Sequence, residues 1–227
     1  MVTQAAPEDF WSALEAPDAD ALTSAAVLRT FRRGQVLVYE GQRADRVLVL
    51  RSGRVKVTST TANGREVVLA FRGPGELVGE LAALDGEPRS ASIIAIEPVE
   101  ALCLPPDQFR RFVTEHPSAS LALLRLLSRR LRDADAKRKE FAELTAIGRV
   151  AGQLLELTER FGRPVEGAIV ITLPLSQEEL AGTTGASLES VARALQTMRS
   201  LKCIETRRRE IRILDVEALE TLRRTVL

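Results

Sequence analysis

Glycine is unevenly distributed along this chain, with eight of the fourteen lying between Gly34 and Gly86 at short intervals. Only an all-β segment needs backbone turns that often. Between the glycines run stretches rich in Val, Leu and Thr: Val36 to Tyr39, Arg46 to Leu50, Arg54 to Ser59 and Glu66 to Phe71. Asn63-Gly64 joins two of them as a tight hairpin. Two further stretches, Ala91 to Ile96 and Val99 to Leu104, are separated by Glu97-Pro98. Residues 26 to 105 are therefore expected to form a small β-barrel or jelly roll.

The pattern changes after Pro105-Pro106. From Pro117, with Ser118 as a possible cap, to Leu144 there is no further Gly or Pro, and apolar residues recur at Leu121, Leu124, Leu127, Leu131, Ala134 and Phe141. This spacing predicts one long helix of about 25 residues. Its narrow stripe and the flanking Arg129, Arg130, Arg132, Lys137, Arg138 and Lys139 suit a helix paired with a copy of itself. The alternative is a solvated helix lying on its own barrel. Thr145 to Gly148 reads as a hinge, and Val150, Leu154, Leu155 and Leu157 give a second helix from Arg149 to Arg160, ended by Phe161-Gly162-Arg163-Pro164.

Ile169 to Leu173 reads as a strand. Ser176-Gln177-Glu178-Glu179 has capping-box spacing and starts a short helix to Thr183. Gly185 breaks it. Ser187 can cap a second helix to Ser200 with Val191, Leu195 and Met198 on one face, which is helix-turn-helix spacing. At the start of such a second helix Arg193 can donate two hydrogen bonds to guanine, and Glu189 can accept from the amino group of cytosine. Arg207-Arg208-Arg209 lies between Ile204-Glu205-Thr206 and Ile211-Arg212-Ile213, a hairpin with a basic tip suited to phosphates. A helical pair used for protein contacts and a merely solvated turn are the bland alternatives.

Charge sharpens this reading. Thirty-two Lys and Arg against thirty-one Asp and Glu leave a net +1, so no global field draws the chain to nucleic acid or anionic lipid. From Ser187 to Arg212, however, seven cations face three carboxylates. Cys103 and Cys203 are the only cysteines and lack close His partners, which argues against zinc fingers and a disulfide framework and for a reducing cytoplasm. No apolar run approaches the roughly eighteen residues of a membrane span, and Glu8 and Asp9 do not suit an export signal. With no nucleophile–base constellation, metal spacing or Walker loop in view, catalysis is not expected.

One stretch breaks the strand rhythm: Gly73 to Ala91, with Gly79, Glu80, Arg89 and Ser90. Gly79 allows close backbone approach, Arg89 can pair with a phosphate and Glu80 can accept from a ribose hydroxyl. A plain surface ion pair is the competing explanation.

Three separated motifs carry a resemblance covering nearly the whole chain. The first is Arg33-Gly34-Gln35-Val36 to Glu40-Gly41 with Ser52-Gly53-Arg54-Val55-Lys56-Val57. The second is Gly79-Glu80-Leu81 with Arg89-Ser90-Ala91. The third is Gln177-Glu178-Glu179-Leu180-Ala181 to Gly185-Ala186-Ser187 with Glu189, Val191 and Arg193. In order and spacing they resemble the cyclic-AMP receptor protein and fumarate-nitrate regulator family of transcription regulators. The resemblance implies an α+β chain: a cyclic-nucleotide-binding β jelly roll with N-terminal helices (residues 1–116), a dimerisation helix (117–144) and a winged helix-turn-helix domain (145–227). It further implies a homodimer on a double-stranded DNA operator of two-fold symmetry, with RNA polymerase as a possible further partner.

Carried over by residue, the resemblance places Glu80 on the ribose 2′-hydroxyl and Arg89 and Ser90 on the cyclic phosphate, with Gly79, Leu81 and Ala91 completing the cassette. Leu69 and Ala70 match the strand lining the pocket, and Arg130 matches an arginine that closes over it and can pair with Glu80. At the base-reading positions this chain has Ala134 and Asp135, and Asp135 can accept from an exocyclic amine. The ligand expected is cyclic AMP or a related cyclic nucleotide. No iron–sulfur cluster is expected, since no cysteine precedes Cys103, and no haem or metal, since the lone His116 suits a helix entry. On the DNA side the carried-over contacts are Ser176, Gln177, Ser187, Leu188, Glu189, Ser190 and Arg193, with Arg207, Arg208 and Arg209 on the wing. Leu188 stands where cyclic-AMP receptors have an arginine, which implies a shared TGA core in each half-site and a different outer base.

Overall fold

The computed structural model describes residues 9–64, 66–173, 175–207 and 210–226. The chain divides into two compact units, one reaching to Arg132 and one from Asp133.

In the first unit, α1 (Ala16–Ala25) and β1 (Val27–Phe31) lead into β2 (Val36–Val38), β3 (Val47–Ser52), β4 (Val55–Thr60), β5 (Glu66–Arg72) and β6 (Leu77–Val78). The short α2 (Leu81–Asp85) interrupts the strands before β7 (Ser92–Ala95) and β8 (Val99–Leu104), and α3 (Pro106–Glu115) and the long α4 (Pro117–Glu143) follow. The strands form two antiparallel four-stranded sheets, β1-β8-β3-β6 and β2-β7-β4-β5, as the jelly-roll expectation requires. The β4–β5 hairpin turns at Asn63-Gly64, where Gly64 takes φ +75° and its amide donates to Thr61.

β3 shows why this arrangement is stable. Val47, Leu48, Val49 and Leu50 are all 0 % exposed, although side chains of a strand alternate between faces. Leu48 and Leu50 enter the core with Val38, Val55, Ile93 and Val99. Val47 and Val49 enter a second core with Phe109 and Phe112 of α3 and Ala119, Ala122, Leu123 and Leu126 of α4. Burial of each such side chain stabilises by about 1.5–3 kcal/mol, so α3 and α4 are integral to this unit.

The long helix is confirmed, but it has two apolar faces where one stripe was expected. Ala119, Ala122, Leu123 and Leu126 are buried on the unit's own core, while Leu121, Leu124 and Leu131 are 48 %, 61 % and 63 % exposed. Ser118 is not the cap. The helix begins at Pro117, the His116 carbonyl accepts from the Ser120 amide, and the Ser118 hydroxyl donates to Asp18 of α1.

Asp18 is 6 % exposed and also bonds the His116 ring at 2.7 Å, which ties α1 to the α3–α4 corner. The Ser118 hydroxyl holds this carboxyl below the usual carboxylate range, against the upward push of burial and with help from His116. A depressed folded pKa adds stability above the unfolded value of about 3.9, and that stability is lost as pH falls through the folded value. Asp18→Asn is accordingly expected to lower unfolding free energy by about 1–2 kcal/mol at pH 7. The deficit should shrink below about pH 4 in urea titrations, and a deficit independent of pH would contradict this origin.

In the second unit the last turns of α4 are followed by α5 (Ala146–Phe161), β9 (Gly162–Val165), β10 (Ala168–Ile171), α6 (Gln177–Thr184) and α7 (Leu188–Ser200). β11 (Ile204–Arg207), β12 (Glu210–Ile213) and α8 (Val216–Arg223) complete it, with sheet order β11-β12-β10-β9. The expected four-residue hinge is shorter in fact. Ala146 to Gly148 already belong to α5, and Thr145 is its cap, accepting from the Gly148 amide at 3.4 Å.

Candidate ligand pocket and nucleic-acid interface

The cassette is assembled by two turns. Gly79, at φ +76°, brings the chain off β6 and leaves Glu80 at the start of α2, and Gly86 ends α2 in the left-handed conformation. A Cβ on Gly79 would lie 2.7 Å from Nη1 of Arg89, so the close approach this glycine allows is to the guanidinium. That guanidinium is nearly enclosed, its side chain 3 % exposed. Nη1 donates to the Gly79 carbonyl at 2.8 Å, and Nη2 donates to the Arg46 carbonyl at 2.6 Å and to Oδ1 of Asp45 at 2.9 Å.

Glu80 is 3 % exposed and accepts from Nη1 of Arg130 at 2.8 Å, while Nη2 of Arg130 donates to the Leu77 carbonyl at 2.7 Å. A buried carboxylate and a buried guanidinium are costly unless paired, and here each has its own partner instead of the other. The cassette thus holds two buried charges of opposite sign, Glu80 and Arg89, each satisfied by its own partner.

Of the remaining pocket residues, Leu69, Leu81 and Ser90 are exposed and Ala70 and Ala91 half-buried. Asp135 belongs to the second unit, where it pairs with Arg138 at 3.5 Å. Asp45 and Arg46 were missed from sequence; they lie in the β2–β3 connection, more than forty residues before the arginine they hold. Burial pushes the Asp45 carboxyl up, but hydrogen bonds from Arg46 and Arg89 outweigh it and hold the group below its usual range. A cleft of about 490 Å³ is lined by Arg43, Ala82, Pro88 and Arg110 among others, and none of Glu80, Arg89 or Arg130 lines it.

In the second unit the capping box is formed in both directions. The Ser176 amide donates to Glu179 at 2.8 Å and the Glu179 amide to the Ser176 hydroxyl at 3.1 Å. Gly185 takes φ +59° between α6 and α7, and the Ser187 hydroxyl accepts from the Ser190 amide at 3.1 Å. The hydroxyls of Ser176 and Ser187 therefore hold helix ends. Val191, Ala194, Leu195 and Met198 anchor α7, which leaves Leu188, Glu189 and Arg193 on the solvent side. Glu189 and Arg193 are 79 % and 69 % exposed and only 3.6 Å apart, a loose pair one turn apart that can open toward base edges. Gln177 is exposed and Ser190 half-buried.

β11 and β12 form the expected hairpin, with Arg207 opposite Glu210. Arg207 also lies 3.5 Å from Glu205, so part of its charge is met within the wing. Arg208 and Arg209 lie outside the described residues. The sequence-predicted strand Ile169 to Leu173, observed as β10, pairs with β12 and β9 and so joins the wing to the start of the helix-turn-helix.

Among the described residues no helix is long and apolar enough to cross a membrane, and no group of three or more His, Cys, Asp or Glu could hold a metal ion.

Two family models match this chain: cyclic nucleotide-binding domain over residues 28–116 and Crp-like helix-turn-helix domain over residues 148–222. The chain is 37 % identical over 189 residues to the CRP-like cAMP-activated global transcriptional regulator of Mycobacterium tuberculosis, covering 83 % of this chain and 84 % of that protein. It is 34 % identical over 170 residues to the cyclic AMP receptor protein of Thermus thermophilus, covering 75 % of this chain and 76 % of that one. Among solved structures, FixK2 from Bradyrhizobium japonicum superposes with a TM-score of 0.75 at 23 % identity, over 87 % of this chain and 96 % of that chain, a likeness of fold.

Proposed function

Because the chain belongs to the CRP/FNR family and is a transcription regulator with a cyclic-nucleotide-binding domain and a DNA-binding helix-turn-helix, we propose that it works as a cytoplasmic homodimer whose grip on a two-fold symmetric operator is set by a cyclic nucleotide, cyclic AMP foremost. The observation that carries this is the buried Glu80–Arg130 pair, because it joins the cassette carboxylate to the long helix. A ribose hydroxyl donating to Glu80 competes with or completes that pair, so occupancy alters what α4 is attached to. Arg89 supplies the positive charge for the phosphate and Ser90 a hydroxyl, with Gly79, Leu81, Ala91, Leu69 and Ala70 around them. The exposed Leu121, Leu124 and Leu131 support the homodimer, being an apolar stripe that a second copy of α4 would cover.

On DNA, Arg193 and Glu189 read bases, with Leu188, Ser190 and Gln177 beside them. Ser176 and Ser187 position the helices, and Arg207, with Arg208 and Arg209, contacts phosphates. RNA polymerase is the further partner of the DNA-bound protein, and no enzymatic activity is assigned.

The test is reciprocity. A ligand preferring the DNA-competent state by about 1–3 kcal/mol raises operator affinity some five- to 150-fold, and the operator must raise ligand affinity equally. Calorimetric titration with cyclic AMP, and with cyclic GMP as comparison, is done with and without a fragment carrying two TGA half-sites. Ligand affinity unchanged by the fragment would defeat the allosteric part.

A second reading, a regulator needing no ligand, is favoured by one observation: Asp45 already occupies Nη2 of Arg89 at 2.9 Å. Its signature is operator binding with neither nucleotide taken up.

A further inference from the structure

Two glycines one turn apart in α5, Gly148 and Gly152, are at odds with the helix that contains them. Each makes the helix about 1 kcal/mol less favourable than alanine would, and their spacing puts both on one face. That face is crossed by the chain leaving α8. A Cβ on Gly148 would lie 3.0 Å from the Thr225 carbonyl oxygen and 3.2 Å from that of Arg223, and a Cβ on Gly152 would lie 3.6 Å from the Arg223 side chain. At Gly148 the obstacle is backbone, which cannot swing aside as a side-chain tip can.

The same segment is fastened at both sides of the α4–α5 corner. The Thr145 amide and hydroxyl each donate to the Thr225 carbonyl at 3.1 Å. Leu144 and Val226 form an antiparallel bridge, and Arg223 reaches Glu140 in the last turn of α4 at 3.4 Å. Glu140 precedes the corner, Leu144 and Thr145 make it, and Gly148 follows it, so a few residues touch every part of the joint.

We propose that residues 223–226 are a strap that fixes the angle between the end of α4 and α5, and thereby the direction in which the helix-turn-helix is presented to the operator. This rests on the DNA-binding reading above for its consequence, but not for its structure. The paired glycines make room for the strap, and Thr145 couples it to the cap of α5 by accepting from the Gly148 amide while donating to Thr225. The fastening at Thr225 is through its carbonyl, so its side chain is dispensable.

Three variants test this: the chain ended after Arg223, Gly148→Ala, and Thr225→Ala as control. Amide hydrogen exchange at Thr145 reports the fastening. Distances between spin labels at positions 139 and 196, in dimers diluted with unlabelled chain, report the corner, and fluorescence anisotropy on the operator reports function. Truncation and Gly148→Ala are expected to speed Thr145 exchange about tenfold or more and to broaden the distance distribution. Both should weaken operator binding about fivefold or more, while Thr225→Ala changes none of the three.

Fast Thr145 exchange in the intact chain overturns the proposal, and so does truncation that leaves the distances narrow. A broadened corner with operator affinity unchanged overturns the positioning role. If the intact chain binds no operator, the DNA-binding reading fails, and the exchange and distance measurements still decide whether the strap holds the corner.

Discussion

Arg89→Leu is expected to abolish saturable cyclic-nucleotide binding, weakening it by about 100-fold or more, since the guanidinium is the cassette's buried cation and its loss removes charge-assisted bonds to a phosphate. The same change should lower unfolding free energy by about 1–3 kcal/mol, because the Gly79 and Arg46 carbonyls lose the donor that satisfies them. Asp45 adds little to that figure. Its side chain is 54 % exposed, and water replaces the lost donor.

Asp45 does add a pH signature. Its depressed pKa means that its pairing stabilises the fold above the unfolded value of about 3.9 and ceases to do so as pH falls through the folded value. The deficit of the Arg89 variant should therefore be slightly smaller at pH 3 than at pH 7. Calorimetry with cyclic AMP and urea unfolding at the two pH values measure both effects. Binding within tenfold of the parent would place the phosphate elsewhere.

The features that could be read from sequence are those with local causes. The Gly-punctuated runs of Val and Leu became β2 to β5, β7 and β8, and Ser176 with Glu179 formed its capping box because both halves lie within four residues. β1 is hidden in the sequence because four of its five residues are exposed and its side chains therefore show no buried face, while β6 is two residues long. β9 contains Pro164, which argues against a strand, yet it sits at the end of its sheet order, where a missing N–H is tolerated. Pro105-Pro106 reads as a break in the sequence, although a proline at the first helical position also starts a helix, here α3.

At the site, Glu80, Arg89 and Arg130 were visible as residue types, and the partners that hold Arg89 were not. Asp45 and the Arg46 carbonyl reach it only through the folding of the barrel, and no spacing rule records a contact of that range. The buried face of α4 was hidden for a similar reason. Ala119, Ala122, Leu123 and Leu126 offer as regular a stripe as the exposed leucines, and only the barrel decides which is covered.

Arg149→Ala is expected to weaken both the fold of the second unit and its binding to DNA. Arg149 stands in the first turn of α5, where its Nε donates to the Thr184 carbonyl at 2.8 Å and its Nη1 to the Leu144 carbonyl at 2.7 Å. These carbonyls are the free ends of two helices, α6 and α4, and a cation there also meets the negative end of each helix dipole. The guanidinium lies 5.8 Å from the centre of the Phe141 ring, and that ring packs 3.4 Å from where a Cβ of Gly185 would be. One side chain thus holds the end of α4 to the turn from which the recognition helix starts. Loss of two charge-assisted bonds at a half-buried position should cost about 2–4 kcal/mol of stability. Operator affinity should fall about tenfold at temperatures where the variant stays folded, since the turn between α6 and α7, released from the Thr184 carbonyl contact, is then fixed only on binding. Arg149→Lys should not restore it, because one ammonium cannot donate in a rigid fork to two carbonyls. Thermal unfolding and anisotropy titration separate the two effects. A variant that melts lower but binds the operator within twofold of the parent would make Arg149 a stabilising residue with no part in placing the recognition helix.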